Sequence, residues 1–506
     1  MQRRDAIKSL FGLSVVAGCS ALPTFANLPQ AHNDLLKLND ELFKKASASN
    51  PNLIGFEGVT HDLPLQQLTL EGAVPRDFRG SLYRNGPAVH QRNNQRYLHL
   101  FEGDGMIQQF NFTERGITHQ GKFVQTAKYQ KEQTANKFLF SGPDSKLQNS
   151  LSVNSPDAIN TANTNVIPVN GELWALWEAG SATALDATSL ATKGVVNLGN
   201  NTRYGNSLKG LPFSAHPKVE ADGSIWNFGS TINGDIVLYH INKFGITQKV
   251  NLLQSGYRGG MLHDFLITQH HVLIILPSLE RDKTDERFFG AIRFNKQQPM
   301  RVLVVDKNTL TLKREYQLDA GFVFHFGNAW EDAKGTIRFD ASLYPNIESL
   351  HYMSDLMRGV TSEATPANTV LFTLHQNGTS DKQIIDGISE FPRVYDHLTG
   401  LQNNLLVTLS SVTSDVWSDS VRVVNVNNGK QDTFVYGEDF LVEEHVIIDN
   451  SQQEGNGYLV GTALHVPSKR TCVNIFKIGH VSDGPICRAW LPYTLPLGFH
   501  GNFMAV

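Results

Sequence analysis

Gly171-Glu172-Leu173-Trp174-Ala175-Leu176-Trp177 is a turn glycine followed by a short run of strand-forming residues, and six further stretches repeat that design. They are Gly105-Met106-Ile107-Gln108-Gln109-Phe110, Gly223-Ser224-Ile225-Trp226-Asn227-Phe228, His271-Val272-Leu273-Ile274-Ile275-Leu276, Gly335-Thr336-Ile337-Arg338-Phe339, Asn404-Leu405-Leu406-Val407-Thr408-Leu409 and Gly457-Tyr458-Leu459-Val460-Gly461-Thr462. Each begins at a turn and continues into aliphatic and aromatic residues over the length of one strand. Around them, apolar and polar residues alternate with a period of two, which is strand patterning. The runs lie roughly 50 to 70 residues apart, about one four-stranded propeller blade with insertions. The chain is therefore expected to be all-β, a seven-bladed β-propeller with a few capping helices and loops over one face. A large double-sheet sandwich is the alternative. The irregular spacing and the lack of a strict repeat motif argue against WD40 and kelch arrays.

With 506 residues, 41% of them hydrophobic, the chain can build a large core. Length alone suggests two or more domains, but closed all-β folds often exceed that prior as one. The formal net charge is −4 and no long basic run occurs, so no nucleic-acid partner is expected, since phosphates demand a basic face. We divide the chain into an export signal at 1–26, a polar lead-in at 27–60 with a helical stretch from Asp34 to Ala48, and a propeller domain at 61–506.

The signal reading rests on Arg3-Arg4, Lys8 and the apolar run Leu10 to Ala17, a charged region followed by a short hydrophobic one. Adjacent arginines point to twin-arginine export. The run is too short to span a bilayer as a mature helix. Thr24-Phe25-Ala26 offers an ordinary cleavage site, whereas Val16-Ala17-Gly18-Cys19 resembles a lipobox in which Cys19 would carry lipid. The expected location is periplasmic, or membrane-anchored as a lipoprotein. Only Cys472 and Cys487 remain besides Cys19, and no Cys-x-x-Cys pair exists, which speaks against a zinc ribbon or iron–sulfur cluster. A Cys472–Cys487 bridge and two free thiols are both open readings.

Helical patterning is sparse. Asn346 to Val360 places Leu350, Met353 and Met357 on one face, either a helix capping the propeller or an apolar lip for a lipid-like substrate and peripheral membrane contact. Lys137-Phe138-Leu139-Phe140 is a second candidate for that lip.

No His-Glu-x-x-His, Gly-x-Ser-x-Gly or Walker loop occurs, and Gly103-x-Gly105 precedes a strand, not a helix. The 18 histidines are the main chemical resource, and histidine is the commonest metal ligand. Spacing cannot choose among them. Four stand beside apolar strand starts: His216 in Ser214-Ala215-His216-Pro217-Lys218, His263 in Met261-Leu262-His263-Asp264-Phe265, His325 in Phe324-His325-Phe326-Gly327-Asn328, and His500 in Gly498-Phe499-His500-Gly501-Asn502. In a propeller such positions from different blades converge on the axis.

These four contexts resemble the iron-binding segments of the carotenoid cleavage oxygenases. Tyr83-Arg84-Asn85-Gly86-Pro87 and Phe101-Glu102-Gly103-Asp104-Gly105-Met106 also resemble that family, and all six segments stand in family order from about Gly80 to Phe503. Glu102 departs from the Asp usual there. The resemblance implies that His216, His263, His325 and His500 bind Fe(2+). It also implies that Glu178, Glu390 and Glu444 orient the imidazoles, the last with Glu443 as a neighbouring possibility. Thr164 would crowd one vacant metal position, and Trp177, Phe324, Phe391 and Phe499 would line a substrate tunnel. The implied reaction adds O2 across one alkene double bond to give two carbonyl products, without an external reductant.

Within the family, stilbene cleavage typically places a Lys just before the first of those glutamates. Trp177 at that position favours an apolar carotenoid or apocarotenoid polyene, as in apocarotenoid oxygenases. A stilbene-cleaving oxygenase is the alternative activity. From other classes, a non-catalytic binding propeller would hold no tight iron, and a calcium lactonase propeller would carry Asp, Asn and Glu on its axis.

Overall fold

The computed structural model describes residues 28–231, 233–449 and 451–505. The expected export signal, with Arg3, Arg4, Cys19 and Ala26, lies outside the described residues. The seven main sheets, of four or five strands each, follow one another along the chain and form a seven-bladed propeller. Each of the seven runs read from the sequence falls in a different blade. Six form the second strand from the axis, for example His271–Leu276 beside Leu266–Ile267 and Leu405–Ser410 beside Glu390–Arg393. The run at Gly105 is third from the axis, because the late strand Gly501–Ala505 adds itself inside Gly80–Val89.

Why these runs are so apolar follows from their place. Strands near the middle of a blade are covered on both faces by neighbouring blades, so Ile225–Ser230 and His271–Leu276 are buried nearly throughout. Such strands read as continuous apolar runs. Outer strands face solvent on one side, and Leu312–Leu318 alternates accordingly. Between two blades Phe228 and Leu238 meet Phe265, Ile274 and Leu303, all essentially solvent-free. Each such side chain contributes about 1.5–3 kcal/mol by leaving water.

The ring is closed twice. Gly501–Ala505 pairs with Gly80–Val89, from Arg84 opposite Gly501 to Gly80 opposite Ala505. Thr69–Gly72 pairs with Cys487–Trp490 at the outer edge of the seventh blade. Early and late segments of the chain thus share two blades.

Three α-helices occur among the described residues: α1 (Leu28–Ser47), α2 (Ala127–Ala135) and α3 (Glu348–Met357). The first begins six residues before the expected Asp34, which shows how weakly a polar helix start is marked. Arg96 ties the cap together. Its Nε donates to the Met357 carbonyl at 2.8 Å, its Nη2 to the Phe56 carbonyl at 2.5 Å, and its guanidinium lies 3.4 Å over the Phe43 ring. Leu350 and Met357 of α3 are fully buried, as are Phe138 and Phe140 nearly so. Of the two readings of these segments, packing beneath the cap is the one their burial bears out. The apolar face of α3 turns inward, because the core beneath the cap needs it more than the solvent face does. On α1, by contrast, Leu35, Leu38 and Leu42 are exposed and form a stripe one turn apart. No helix among the described residues is long and apolar enough to cross a membrane. Cys472 and Cys487 are free and buried, three register positions apart on neighbouring strands.

Candidate metal centre

The strand nearest the axis is short and irregular in several blades, and this is where the chemistry sits. His500 precedes Gly501–Ala505, Thr164 precedes Asn165–Val169, His216 precedes Lys218–Val219, and His263 precedes Leu266–Ile267. His325 lies between the short strands Phe322–Val323 and Ala329–Glu331, Glu390 opens Glu390–Arg393, and Glu444 lies within Phe440–Ile448. Every blade thus sends one of these residues toward the same end of the axis.

One nitrogen from each of His216, His263, His325 and His500 lies within 4.8 Å of the other three, and all four side chains are buried. His216 Nε2 stands 3.0 Å from His500 Nε2. Two ring nitrogens at that separation repel if both present lone pairs, so a proton or a cation belongs between them. The Nε2 of His325 is buried with no hydrogen-bond partner. Four imidazoles with unspent lone pairs are a donor set suited to a first-row metal ion. Protonation states agree. Burial, then the neighbouring imidazoles, hold His216 well below its ordinary value, and burial brings His500 to about 4. Neutral rings are what a metal requires. Burial opposes charge on His325 too, but the Glu390 carboxylate outweighs it and holds that ring above its ordinary value. A carboxylate that favours a proton there equally favours a metal cation beside the ring.

The far nitrogens of His325 and His500 are tied by carboxylates. His325 Nδ1 donates to Glu390 Oε2 at 2.5 Å, and His500 Nδ1 to Glu444 Oε1 at 3.0 Å. Glu390 is itself fixed by the Tyr344 hydroxyl at 2.8 Å and the Phe391 amide at 2.8 Å. Glu444 receives the Gly501 amide at 2.8 Å; although burial disfavours its charge, Arg393, His500 and Arg84 hold it at about 2. Glu178 Oε1 lies 3.2 Å from His263 Nδ1 and 3.5 Å from His216 Nδ1, near both rings but hydrogen-bonded to neither.

The choice between Glu443 and Glu444 has a structural answer. Consecutive strand residues normally face opposite sides, but the register of Phe440–Ile448 shifts between Val442 and His445. A bulge there re-aims the side chains. Glu444 turns to His500, whereas Glu443 pairs with Arg84 at 3.1 Å and accepts the Thr462 hydroxyl and the Gly498 amide.

Asp264, directly after His263, joins three ligand segments. Its Oδ1 meets Lys218 Nζ at 2.8 Å, two residues past His216, and its Oδ2 accepts the amide of Phe326, next to His325, at 2.9 Å. Nothing in the sequence marked this role, because it depends on which strands adjoin.

Thr164 touches the centre through its backbone, its carbonyl accepting the His500 amide at 3.2 Å while its hydroxyl donates to Asn163 at 3.0 Å. Phe391 stacks on His325 with ring centroids 5.0 Å apart, and its φ of 50° is a left-handed conformation rare for an aromatic residue. Phe324 presents its edge to His263 at 5.5 Å. Phe499 meets Phe101 edge to face at 5.4 Å. Trp177 is buried beside Glu178, against Gly180, and no ring contact joins it to the four histidines. Phe101 was not singled out as a wall residue, yet its ring lies parallel to His263 at 6.4 Å and also contacts Phe289, Phe324 and Phe499. Its position in the segment Phe101 to Met106 was the available signal. Tyr344 and Arg393 carried none.

The family model described as RPE65, retinal pigment epithelial membrane protein, matches residues 56–505. The chain belongs to this family of carotenoid oxygenases. Within the family, an apocarotenoid-15,15'-oxygenase from Synechocystis is 30% identical over 460 residues, covering 86% of this chain and 92% of that protein. A lignostilbene-alpha,beta-dioxygenase isozyme III from Sphingomonas paucimobilis is 26% identical, covering 90% and 97%. The crystal structure of cobalt-substituted Synechocystis ACO superposes with a TM-score of 0.78 at 23% identity, over 90% of this chain and 99% of that one. The carotenoid oxygenase fold is thus shared across the whole propeller.

Proposed function

We propose that the chain is a mononuclear non-haem Fe(II) dioxygenase that cleaves one alkene double bond of a carotenoid or apocarotenoid with O2, giving two carbonyl products. The observation that carries this is the set of four buried imidazoles whose free nitrogens face one another beneath a rim of phenylalanine rings. His216, His263, His325 and His500 would hold the ion, and Fe(II) would supply the redox-active centre at which O2 meets the alkene. The chain's own residues do the rest. Glu178, Glu390 and Glu444 fix ring tautomers and basicity. Phe101, Phe324, Phe391 and Phe499 offer flat apolar surface against which a polyene packs and from which water is excluded. Thr164 crowds one side of the centre.

Trp177 directly before Glu178 favours an apolar polyene over a phenolic stilbene, which needs a polar partner. Incubation of iron-loaded protein with an apocarotenal and with resveratrol, followed by product masses, tests this. Two carbonyl fragments from the apocarotenal are expected; turnover of the phenol alone would overturn it. We also propose export by the twin-arginine signal, and contact of the α1 leucine stripe with lipid. Replacing Arg3 and Arg4 by Lys should trap the protein in the cytoplasm, and Leu35, Leu38 and Leu42 changed to Ser should reduce flotation with phospholipid vesicles.

A further inference from the structure

The loop between Arg281 and Ile292 carries two partly exposed aromatic residues, Phe288 and Phe289, above the metal end of the propeller. Phe289 stacks on His99 with centroids 4.0 Å apart and meets Phe101 edge to face at 5.6 Å. Phe101 in turn lies parallel to His263. A continuous aromatic path therefore runs from a partly exposed loop to a ring of the metal centre.

Phe289 does not hold this place by packing alone. Asp144, buried and remote in sequence, accepts the Phe289 amide at 2.7 Å and the Gly290 amide at 3.1 Å, one on each carboxylate oxygen. The Pro143 carbonyl accepts the Phe288 amide at 2.8 Å. The turn that carries Asp144 is held from the other side by Glu102. Glu102 Oε1 accepts the amides of Asp144 at 2.9 Å and Ser145 at 2.8 Å, while Oε2 accepts the Ser145 hydroxyl at 2.7 Å and the His99 amide at 3.1 Å. His99 completes the assembly, its Nδ1 accepting the Phe101 amide at 3.3 Å and its Nε2 donating to the Leu350 carbonyl at 3.2 Å. One polar chain thus fixes both Phe101 and Phe289. Glu102 stands where Asp is usual in the resembling segment, and its carboxylate is committed in full to this chain of bonds.

We propose that Phe289 is a specificity-determining residue for the polyene, and that Asp144, anchored by Glu102, is the residue that positions it. The inference rests on the polyene reading above. A long apolar substrate running along Phe101 toward His263 passes Phe289, whereas a short one that reaches only the inner rings does not. Asp144 acts through two backbone amides, so Asp144→Asn, which can accept through one oxygen only, frees half of the clasp.

The test compares wild type, Asp144→Asn, Phe289→Ala and Phe289→Leu, each loaded with iron. For a long apocarotenal, Asp144→Asn and Phe289→Ala should raise KM roughly tenfold with kcat within about twofold, and Phe289→Leu should recover most of the loss. Trypsin cleavage after Lys283 or Arg287 should quicken in Asp144→Asn and stay at the wild-type rate in Phe289→Leu. A trypsin rate unchanged by Asp144→Asn would overturn the positioning role. An unchanged KM in Phe289→Ala, beside wild-type cleavage, would overturn the specificity role while leaving the proposed chemistry standing. Binding of the apocarotenal to iron-free protein, followed by tryptophan quenching, separates the two readings. Weakened binding in both variants, with no turnover even by wild type, would support the inference and remove the chemistry. No binding by wild type would remove both.

Discussion

Two clusters of buried polar side chains lie within the same propeller and behave oppositely. In one, Lys128 Nζ meets Asp104 at 2.7 Å and Glu132 at 3.1 Å, and Arg92 meets Asp104 at 3.2 Å. Glu132 also accepts the Tyr97 hydroxyl at 3.2 Å and the amides of Leu139 and Phe140. Its carboxylates and ammonium are spent on one another. In the other, carboxylates anchor His325 and His500 on one side, and nitrogens such as His325 Nε2 are left without a partner. The side chains that define both are buried. What distinguishes them is the kind of capacity left unspent: the first leaves only the Arg92 Nε donor unpartnered, the second leaves imidazole lone pairs, and lone pairs separate a binding site from a brace.

Substitutions should divide along the same line. The largest effect is expected for His325→Ala, which removes a donor: metal analysis of the purified variant should find little bound iron, and oxygenase activity should vanish with it. Retention of near-stoichiometric iron would take His325 out of the ligand set. Lys128→Ala should do the reverse, leaving metal content intact in folded protein while denaturant titration shows a loss of about 3–5 kcal/mol from two buried carboxylates deprived of their shared ammonium. If Lys128→Ala instead lowered metal content in fully folded protein, the two clusters would not be separate. A third case lies on the strand after His325. Burial disfavours charge on Glu331, but bonds from His271, Thr268 and the His270 amide hold it at about 2. A depressed carboxylate stabilises above its unfolded value near 4.5 and loses that contribution as pH falls toward 2. Glu331→Gln should therefore cost about 2–3 kcal/mol at neutral pH and almost nothing at pH 2, read from melting curves across that window. The smallest effect belongs to Glu390→Gln, which keeps shape but removes charge behind His325; a 10- to 100-fold weaker metal affinity by calorimetry is expected, with little change in stability.

The parts legible in the sequence were those whose environment is uniform. The seven apolar runs marked the blades because strands covered on both faces must be apolar along their length. The innermost strands were not legible, since Lys218–Val219 and Leu266–Ile267 are only two residues long and set by their neighbours. The four histidines were chosen by segment resemblance and not by periodicity, and the structure brings those four together. The roles of Asp264, Tyr344 and Phe101 escaped notice because each depends on contacts between blades. The helix at α3 was legible, but amphipathic spacing left a capping helix and an apolar lip both open, because it says that one side is apolar without saying what lies against it.

The double closure of the ring also sets an order of events during synthesis. Gly501–Ala505 leaves the ribosome after every other described strand, and His500 stands immediately before it. The fourth donor therefore arrives only when the first and last parts of the propeller can meet. A chain cut before His500 offers only three of the four imidazoles, so closing the ring and completing the donor set are one event.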